Sequence, residues 1–383
     1  MDRSSVRPRY GPAGWLVSWL PPVLVWLISA TVMVVTSAAD GWPPFAATKT
    51  WTRWDANLYL QIASGGYHLF RCPARPGQAV RWCGDSGWFP GYPWISAGLH
   101  WLSFPLAPAA LALSWLLFLA ALIVLWRAFL VHQPWPAGAA ALTYAAFTPG
   151  LAYESALFPL ALLSLCTIAF FALLKNGHWL AAGAAAAAGA LAYPVGVVAA
   201  PVAAVWLLAD RGVPFSQRAR RVAAVAGPTV AALLFFVFVQ QIETGRWNAY
   251  LLTQAKYGHH LINPVVTIGR ALSQAWHAPP GLAGAPALQT LFITFVLICV
   301  GAAIAIRRGP DTRFEVLIII WALVVWLELF AETNLDSYRG VADLLLLAVL
   351  LPRLPRLLSA AIAVAAILLA VPVATLYFRG VLV

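Results

Sequence analysis

Apolar residues in this chain gather in long runs separated by short polar or proline-containing breaks. The runs fall at about 14–38, 96–126, 137–153, 155–174, 179–193, 194–209, 222–241, 287–306, 314–331, 341–351 and 357–377. A helix needs about 20 apolar residues to cross the hydrocarbon core of a bilayer, whereas a barrel strand shows about ten alternating ones. Continuous runs therefore predict helices that satisfy their own backbone polar groups. The expected fold class is all-α, a polytopic transmembrane helical bundle of about 10–11 spans. Two places are ambiguous. Residues 137–209 are interrupted only by Glu154, Lys175 and Pro194, and 341–351 is short for a span. The first run is too long for a signal-peptide core and reads as the first span.

Composition removes the soluble alternative. Of 383 residues, 62% are hydrophobic and only 10% charged, with mean hydropathy +0.80. A soluble domain carries about a quarter of its residues as charged types. The net charge of +11 does not point to nucleic acid, because the basic residues lie in small clusters between apolar runs. There they act as topology signals. Arg3, Arg7 and Arg9, together with Arg127, Lys175, Arg211, Arg218, Arg220, Arg221, Arg307, Arg308, Arg313, Arg353 and Arg356, put 14 of the 24 Lys and Arg on one side. That side is the expected cytoplasm and holds the N-terminus. Asp40, Asp55, Asp85, Glu154, Glu243, Glu328, Glu332, Asp336 and Asp343 fall on or near the other side. Acids contribute little to topology, so this asymmetry places the polar chemistry outside. The Ala content and the excess of Arg over Lys fit a GC-rich bacterial genome, so the expected location is a bacterial plasma membrane.

Residues 1–383 read as one membrane domain with two long extracytoplasmic loops, about 39–95 and 242–286. Structured loops of this size are usually functional. Thr52 to Tyr67, T-R-W-D-A-N-L-Y-L-Q-I-A-S-G-G-Y, places Trp54, Leu58, Ile62 and Ala63 at helical spacing, which predicts a juxtamembrane helix on the membrane surface. Asp55 stands at its N-terminal end, where the helix dipole favours a carboxylate, and Gly65-Gly66 ends it. Trp88 to Pro93, W-F-P-G-Y-P, joins rigid turn residues to interfacial aromatics. Asp55 equally suits an N-cap or a partner for Arg53. Cys72 and Cys83 share the first loop on the side where disulfides persist, and are a candidate bridge. Cys166 and Cys299 sit inside apolar runs and read as packing residues. No four-ligand spacing marks a metal site.

These segments resemble the PIG-V family of mannosyltransferases, integral-membrane glycosyltransferases of the GT-C class. W-D followed by I-A-x-x-G-Y, then F-P-x-Y-P, carries the resemblance. Glu154 to Phe158 (E-S-A-L-F), Ala190 to Gly196 (A-L-A-Y-P-V-G) and Ser337-Tyr338-Arg339 extend it more loosely. The chain departs from the pattern at Leu58, where the family often has a polar residue, and at Tyr193, where an Arg commonly precedes the Pro. The resemblance implies an inverting transfer of mannose from a polyprenyl-phosphate donor to a glycolipid, lipoglycan or protein acceptor at the outer face, with neither cofactor nor metal. Asp55 is the expected general base and Asp85 its rival. Arg339, Lys256, His259, His260 and Arg246 are candidates for the donor phosphate, because cations stabilise a leaving phosphate. Glu154, Trp54, Tyr59, Tyr67 and Tyr92 are candidates for donor or acceptor binding. Three rival functions are a GT-C enzyme using another sugar, such as arabinofuranose or glucose, a transporter or flippase for a lipid-linked sugar, and a non-catalytic partner that supports another glycosyltransferase. A transporter predicts repeat symmetry and mid-span charges; no internal repeat is evident.

Overall fold

A computed structural model of the chain describes residues 12–41, 47–73, 81–258, 262–277, 284–331 and 341–381. Arg339, His259 and His260 lie outside the described residues. The architecture is the expected one: an all-α polytopic bundle with almost no strand. Among the described residues, five helices are long and apolar enough to cross a membrane by length and composition alone. They include α1 (Pro12–Ala39), α5 (Leu106–Leu125), α11 (Phe215–Thr244), α14 (Ala285–Ile306) and the last helix, α16 (Arg356–Phe378). Shorter rods fill in between: α6 (Trp135–Ala146), α8 (Leu160–Lys175), α9 (Trp179–Ala192), α10 (Ala199–Leu208) and α13 (Pro264–His277); α15 (Thr312–Ala331) equals α5 in length.

Side-chain pairing identifies the two ends. At one end, Asp40 beyond α1 pairs with Arg379 beyond α16 at 2.9 Å, and the Tyr377 hydroxyl donates to the Trp51 carbonyl at 3.0 Å. At the other, Trp126 Nε1 donates to the Val17 carbonyl at 2.9 Å. There Arg313 meets Asp210 at 2.9 Å, Arg353 meets Glu315 at 2.7 Å, and Lys175 approaches Asp311 to 3.9 Å. The alternating breaks read from the sequence thus separate to opposite ends.

The short run near 341–351 forms a 3₁₀ rod, Val341–Val349 continued by Leu351–Arg353. A 3₁₀ helix rises about 2 Å per residue against 1.5 Å for an α-helix, so 341–353 extends about 26 Å rather than about 20 Å. That brings a run too short for an α-helical span close to the hydrocarbon thickness. Leu344 to Ala348 and Leu350 to Leu351 are all fully buried, as expected for a segment that is apolar all round.

One boundary differs from the hydrophobic runs. Residues 96–126 are not one span. They divide into α4 (Gly91–Trp101) and α5, because Ser103 takes φ 72° and Pro105 follows with an extended backbone. Neither continues a helix. The expected break at Pro194 is present: α9 ends at Ala192, and Gly196 packs against the Gly189 carbonyl too closely for any Cβ. Small residues set the packing elsewhere too. A Cβ at Gly183 would clash with the Ala224 carbonyl of α11. Helices in lipid associate through such close approach rather than through the hydrophobic effect.

Candidate active site

The segment after α1 builds one platform at the Asp40–Arg379 end. It begins with α2 (Thr48–Trp51), whose Trp51 is fully buried and packs edge-on against Trp115 and Phe378 at 5.7 and 5.4 Å. After Arg53 the chain turns through Trp54 at φ 52°, a left-handed conformation that costs a non-glycine residue roughly 1–2 kcal/mol. Asp55 is the N-cap of α3 (Ala56–Gly65), and its carbonyl takes the Leu58 and Tyr59 amides at 2.9 and 3.1 Å. Its side chain makes no capping bond. The helix ends as the glycine pair predicts, with Gly66 at φ 76° and its amide on the Ile62 carbonyl. The buried face is Ala56, Tyr59 and Ile62 rather than the Trp54–Leu58–Ile62 stripe, because the left-handed turn at Trp54 delays the helix start to Ala56.

A small hairpin follows, β1 (Leu69–Arg71) against β2 (Trp82–Gly84), antiparallel with Phe70 opposite Cys83 and closed by a Cys72–Cys83 disulfide. The cysteine pair was its only sequence signal. Asp85 is buried beneath the hairpin, and both of its oxygens are occupied. One accepts the His68 amide at 2.6 Å and the other contacts His68 Nδ1 at 3.1 Å. The Tyr67 hydroxyl donates to the Trp88 carbonyl at 2.8 Å, and the Tyr67 amide donates to Glu243 Oε2 at 2.6 Å. Burial, reinforced by the Glu243 and Asp85 charges, pushes the Tyr67 phenol well above its ordinary range.

The end of α11 and the segment after it close over residues 86–90. Gln240 donates to the Ser86 carbonyl at 2.7 Å and Gln254 to the Gly87 carbonyl at 2.6 Å. These tethers bring α12 (Ala249–Gln254) and the turn after it to the platform. There the Lys256 ammonium stands 5.7 Å from the Trp88 ring centre and 4.7 Å from that of Tyr257. Burial pulls Lys256 below the usual lysine range, and the nearby charge of Asp55 opposes that shift.

The platform therefore joins Asp55, Trp54, Trp88, Lys256 and Tyr257. Among the described residues, the indole N–H of Trp54 is buried and has no hydrogen-bond partner. Tyr59 and Tyr92 are buried instead in an aromatic chain that runs from Tyr92 through Tyr59 to Phe158, at 6.1 and 5.8 Å. The Tyr92 hydroxyl is spent on the Ala110 carbonyl at 2.7 Å and on Ser114 at 2.9 Å. Arg246 lies apart, its guanidinium 4.6 Å from the Trp82 ring centre.

Phe158 leads to Glu154, in the short helix α7 (Leu151–Ser155) at the same end of the bundle. Glu154 is fully buried. One carboxyl oxygen accepts Ser164 Oγ at 2.6 Å; the other has no partner among the described residues. Burial pushes this carboxyl up to about 8 against the opposing pull of Ser164.

Several participants were not foreseen: Tyr257 beside Lys256, His68 on Asp85, Glu243 on Tyr67, and the two glutamine tethers. Lone polar residues leave no spacing signal, and the contacts of Glu243, Gln240 and Gln254 span more than 150 residues.

With this geometry in view, two solved structures resemble the chain. One is the oligosaccharyltransferase of Archaeoglobus fulgidus in complex with zinc and sulfate, with TM-score 0.50 and 14% identity over 92% of this chain and 53% of that one. The other is the oligosaccharyltransferase AglB of Archaeoglobus fulgidus, in complex with an inhibitory peptide and a dolichol-phosphate, with TM-score 0.50 and 13% identity over 95% and 56%. The shared property is the fold. This chain spans about half the length of those proteins. It matches no protein-family profile and none of the curated proteins.

Proposed function

We propose that this protein is an inverting GT-C glycosyltransferase that moves mannose from a polyprenyl-phosphate donor to a glycolipid or lipoglycan acceptor at the outer face of the membrane. The observation that carries the reading is the approach of Lys256 to Asp55 on a platform braced from both outer loops. Fold likeness to proteins that include a dolichol-phosphate complex supports a lipid-borne donor. The PIG-V resemblance supports mannose.

The chemistry needs a base and a cation at one place. The acceptor oxygen attacks the anomeric carbon, the bond from that carbon to the phosphate oxygen breaks, and configuration inverts. The acceptor proton passes to Asp55, and the electron pair leaves with the polyprenyl phosphate, whose charge Lys256 offsets. Trp54 offers its N–H to a sugar or phosphate oxygen. Asp85 is the weaker base, since both of its oxygens are engaged by His68. No step calls for a metal.

The test is transfer of labelled mannose from polyprenyl-phosphate-mannose by purified, reconstituted protein. Asp55→Asn is expected to lower kcat by about 10²–10⁴, the range for losing a general base. Full activity of Asp55→Asn defeats the assignment. Activity with polyprenyl-phosphate arabinose or glucose, but not mannose, changes the sugar and leaves the mechanism standing.

A further inference from the structure

At the end of the bundle opposite Asp55, a cavity of about 390 Å³ opens between α14 and α15. Arg308 follows the last turn of α14, while Thr312 and Arg313 open α15, so the polar lining lies at the helix ends. Ile304, Val316 and Ile319 lie one or two turns deeper, at about 5.4 Å per turn, and are aliphatic. The volume falls within the range of small-molecule sites, about 300–1,000 Å³.

We propose that this cavity binds an anionic phospholipid of the leaflet at that end, with the phosphate on Arg308, Arg313 and Thr312 and an acyl segment among the aliphatic side chains. The lining complements such a lipid in charge and in polarity. Arg313 is held by Asp210 at 2.9 Å and stacks over Trp206 at 5.0 Å, so its guanidinium is fixed in place. A guanidinium has five donors, and one carboxylate does not exhaust them. Arg308 is exposed beside it. The start of α15 adds the positive end of a 20-residue helix dipole. The one acid in its first turn, Glu315, is already engaged by Arg353 at 2.7 Å. A basic rim above an apolar hollow between two spans fits a charged head group with its tail attached. Free phosphate would satisfy the rim and leave the hollow unused. A zwitterionic lipid would bring its own cation against two arginines.

The proposal rests on the membrane fold and is independent of the glycosyl-transfer reading. Full-length protein is reconstituted in phosphatidylcholine nanodiscs containing a minor fraction of phosphatidylglycerol. Lipids retained on extraction are then counted by native mass spectrometry. Phosphatidylglycerol is expected to be enriched over its bulk share by roughly tenfold, the size of one charge-assisted contact. Gly301 also lines the cavity, and no atom lies within 4 Å of a Cβ built there, so Gly301→Leu fills the hollow without a backbone clash. Gly301→Leu and Arg308→Gln should each return the ratio towards bulk, while Arg308→Lys keeps most of the enrichment. Equal retention of the two lipids by the unaltered protein overturns the proposal. Enrichment that survives both variants also overturns it, as does displacement by inorganic phosphate alone, which would mark a free-anion site.

Discussion

The Lys256 ammonium lies 4.7 Å from the centre of the Tyr257 ring and 5.7 Å from that of Trp88, within reach of the charge on Asp55. Burial favours the neutral amine and Asp55 favours the cation; burial is the larger effect. The lysine therefore loses its proton at lower pH than a free lysine, and the sign follows for catalysis. If the cation offsets the leaving phosphate, kcat/KM falls on an alkaline limb below the ordinary lysine pKa of about 10.4. Lys256→Met is expected to lower kcat at least tenfold, whereas Lys256→Arg retains charge and moves the limb upward out of range. A pH–rate profile of both variants decides; an alkaline limb unchanged in Lys256→Arg rules Lys256 out as its source.

Glu154 gives a second pH dependence, in stability. Its folded pKa of about 8 lies above the unfolded value of 4.5. Between those values the folded state binds more protons than the unfolded state, so stability is greatest below pH 4.5 and declines as pH rises towards 8. The total decline attributable to this group is on the order of a few kcal/mol. Glu154→Gln keeps the shape and the Ser164 contact but cannot ionise, and should flatten that part of the curve. Thermal melts in detergent at pH 5 and pH 8 are the measurement, and a parallel slope in the variant contradicts the assignment.

Much of the fold follows from hydrophobic runs, because in a bilayer a long apolar run has few alternatives to a helix. The exceptions have local physical causes. The break between α4 and α5 comes from Ser103 and Pro105, which hydropathy does not register. The 341–353 rod changes its rise per residue, and the period of an all-apolar run cannot reveal that. Of the site, Asp55 and Lys256 were legible as charged residues in the two long loops. Their proximity was not, since it depends on Gln240 and Gln254 reaching main-chain carbonyls more than 150 residues away. Tyr92 carried an expectation of binding and instead bonds Ala110 and Ser114, because an aromatic residue beside a glycine-proline turn looks the same in either role.

The Cys72–Cys83 disulfide closes a separation of 11 residues, which corresponds to about 3 kcal/mol of loop entropy in the unfolded chain. The hairpin it closes is two three-residue strands, too short to hold alone. Cys72→Ser is therefore expected to expose the 69–84 segment to proteolysis while the bundle keeps its melting temperature within a few degrees. Unchanged protease sensitivity would show that Asp85 and His68 suffice to hold the hairpin.

Trp54 bears the strain that sets up Asp55. Its φ of 52° lies in the left-handed region, and its ring packs partly buried against the core. Two variants separate backbone from ring. Trp54→Ala and Trp54→Gly both remove the indole and its N–H, but only glycine adopts this backbone without steric cost. Trp54→Gly should be the more stable of the two by about 1 kcal/mol, with the extra chain freedom of glycine in the unfolded state reducing the gap. If the turn at Trp54 also aims Asp55, Trp54→Gly should retain more transferase activity than Trp54→Ala at equal expression. Melting temperature and initial transfer rate, measured side by side, test both halves. Alanine matching or exceeding glycine in both would mean that the left-handed turn stores no strain.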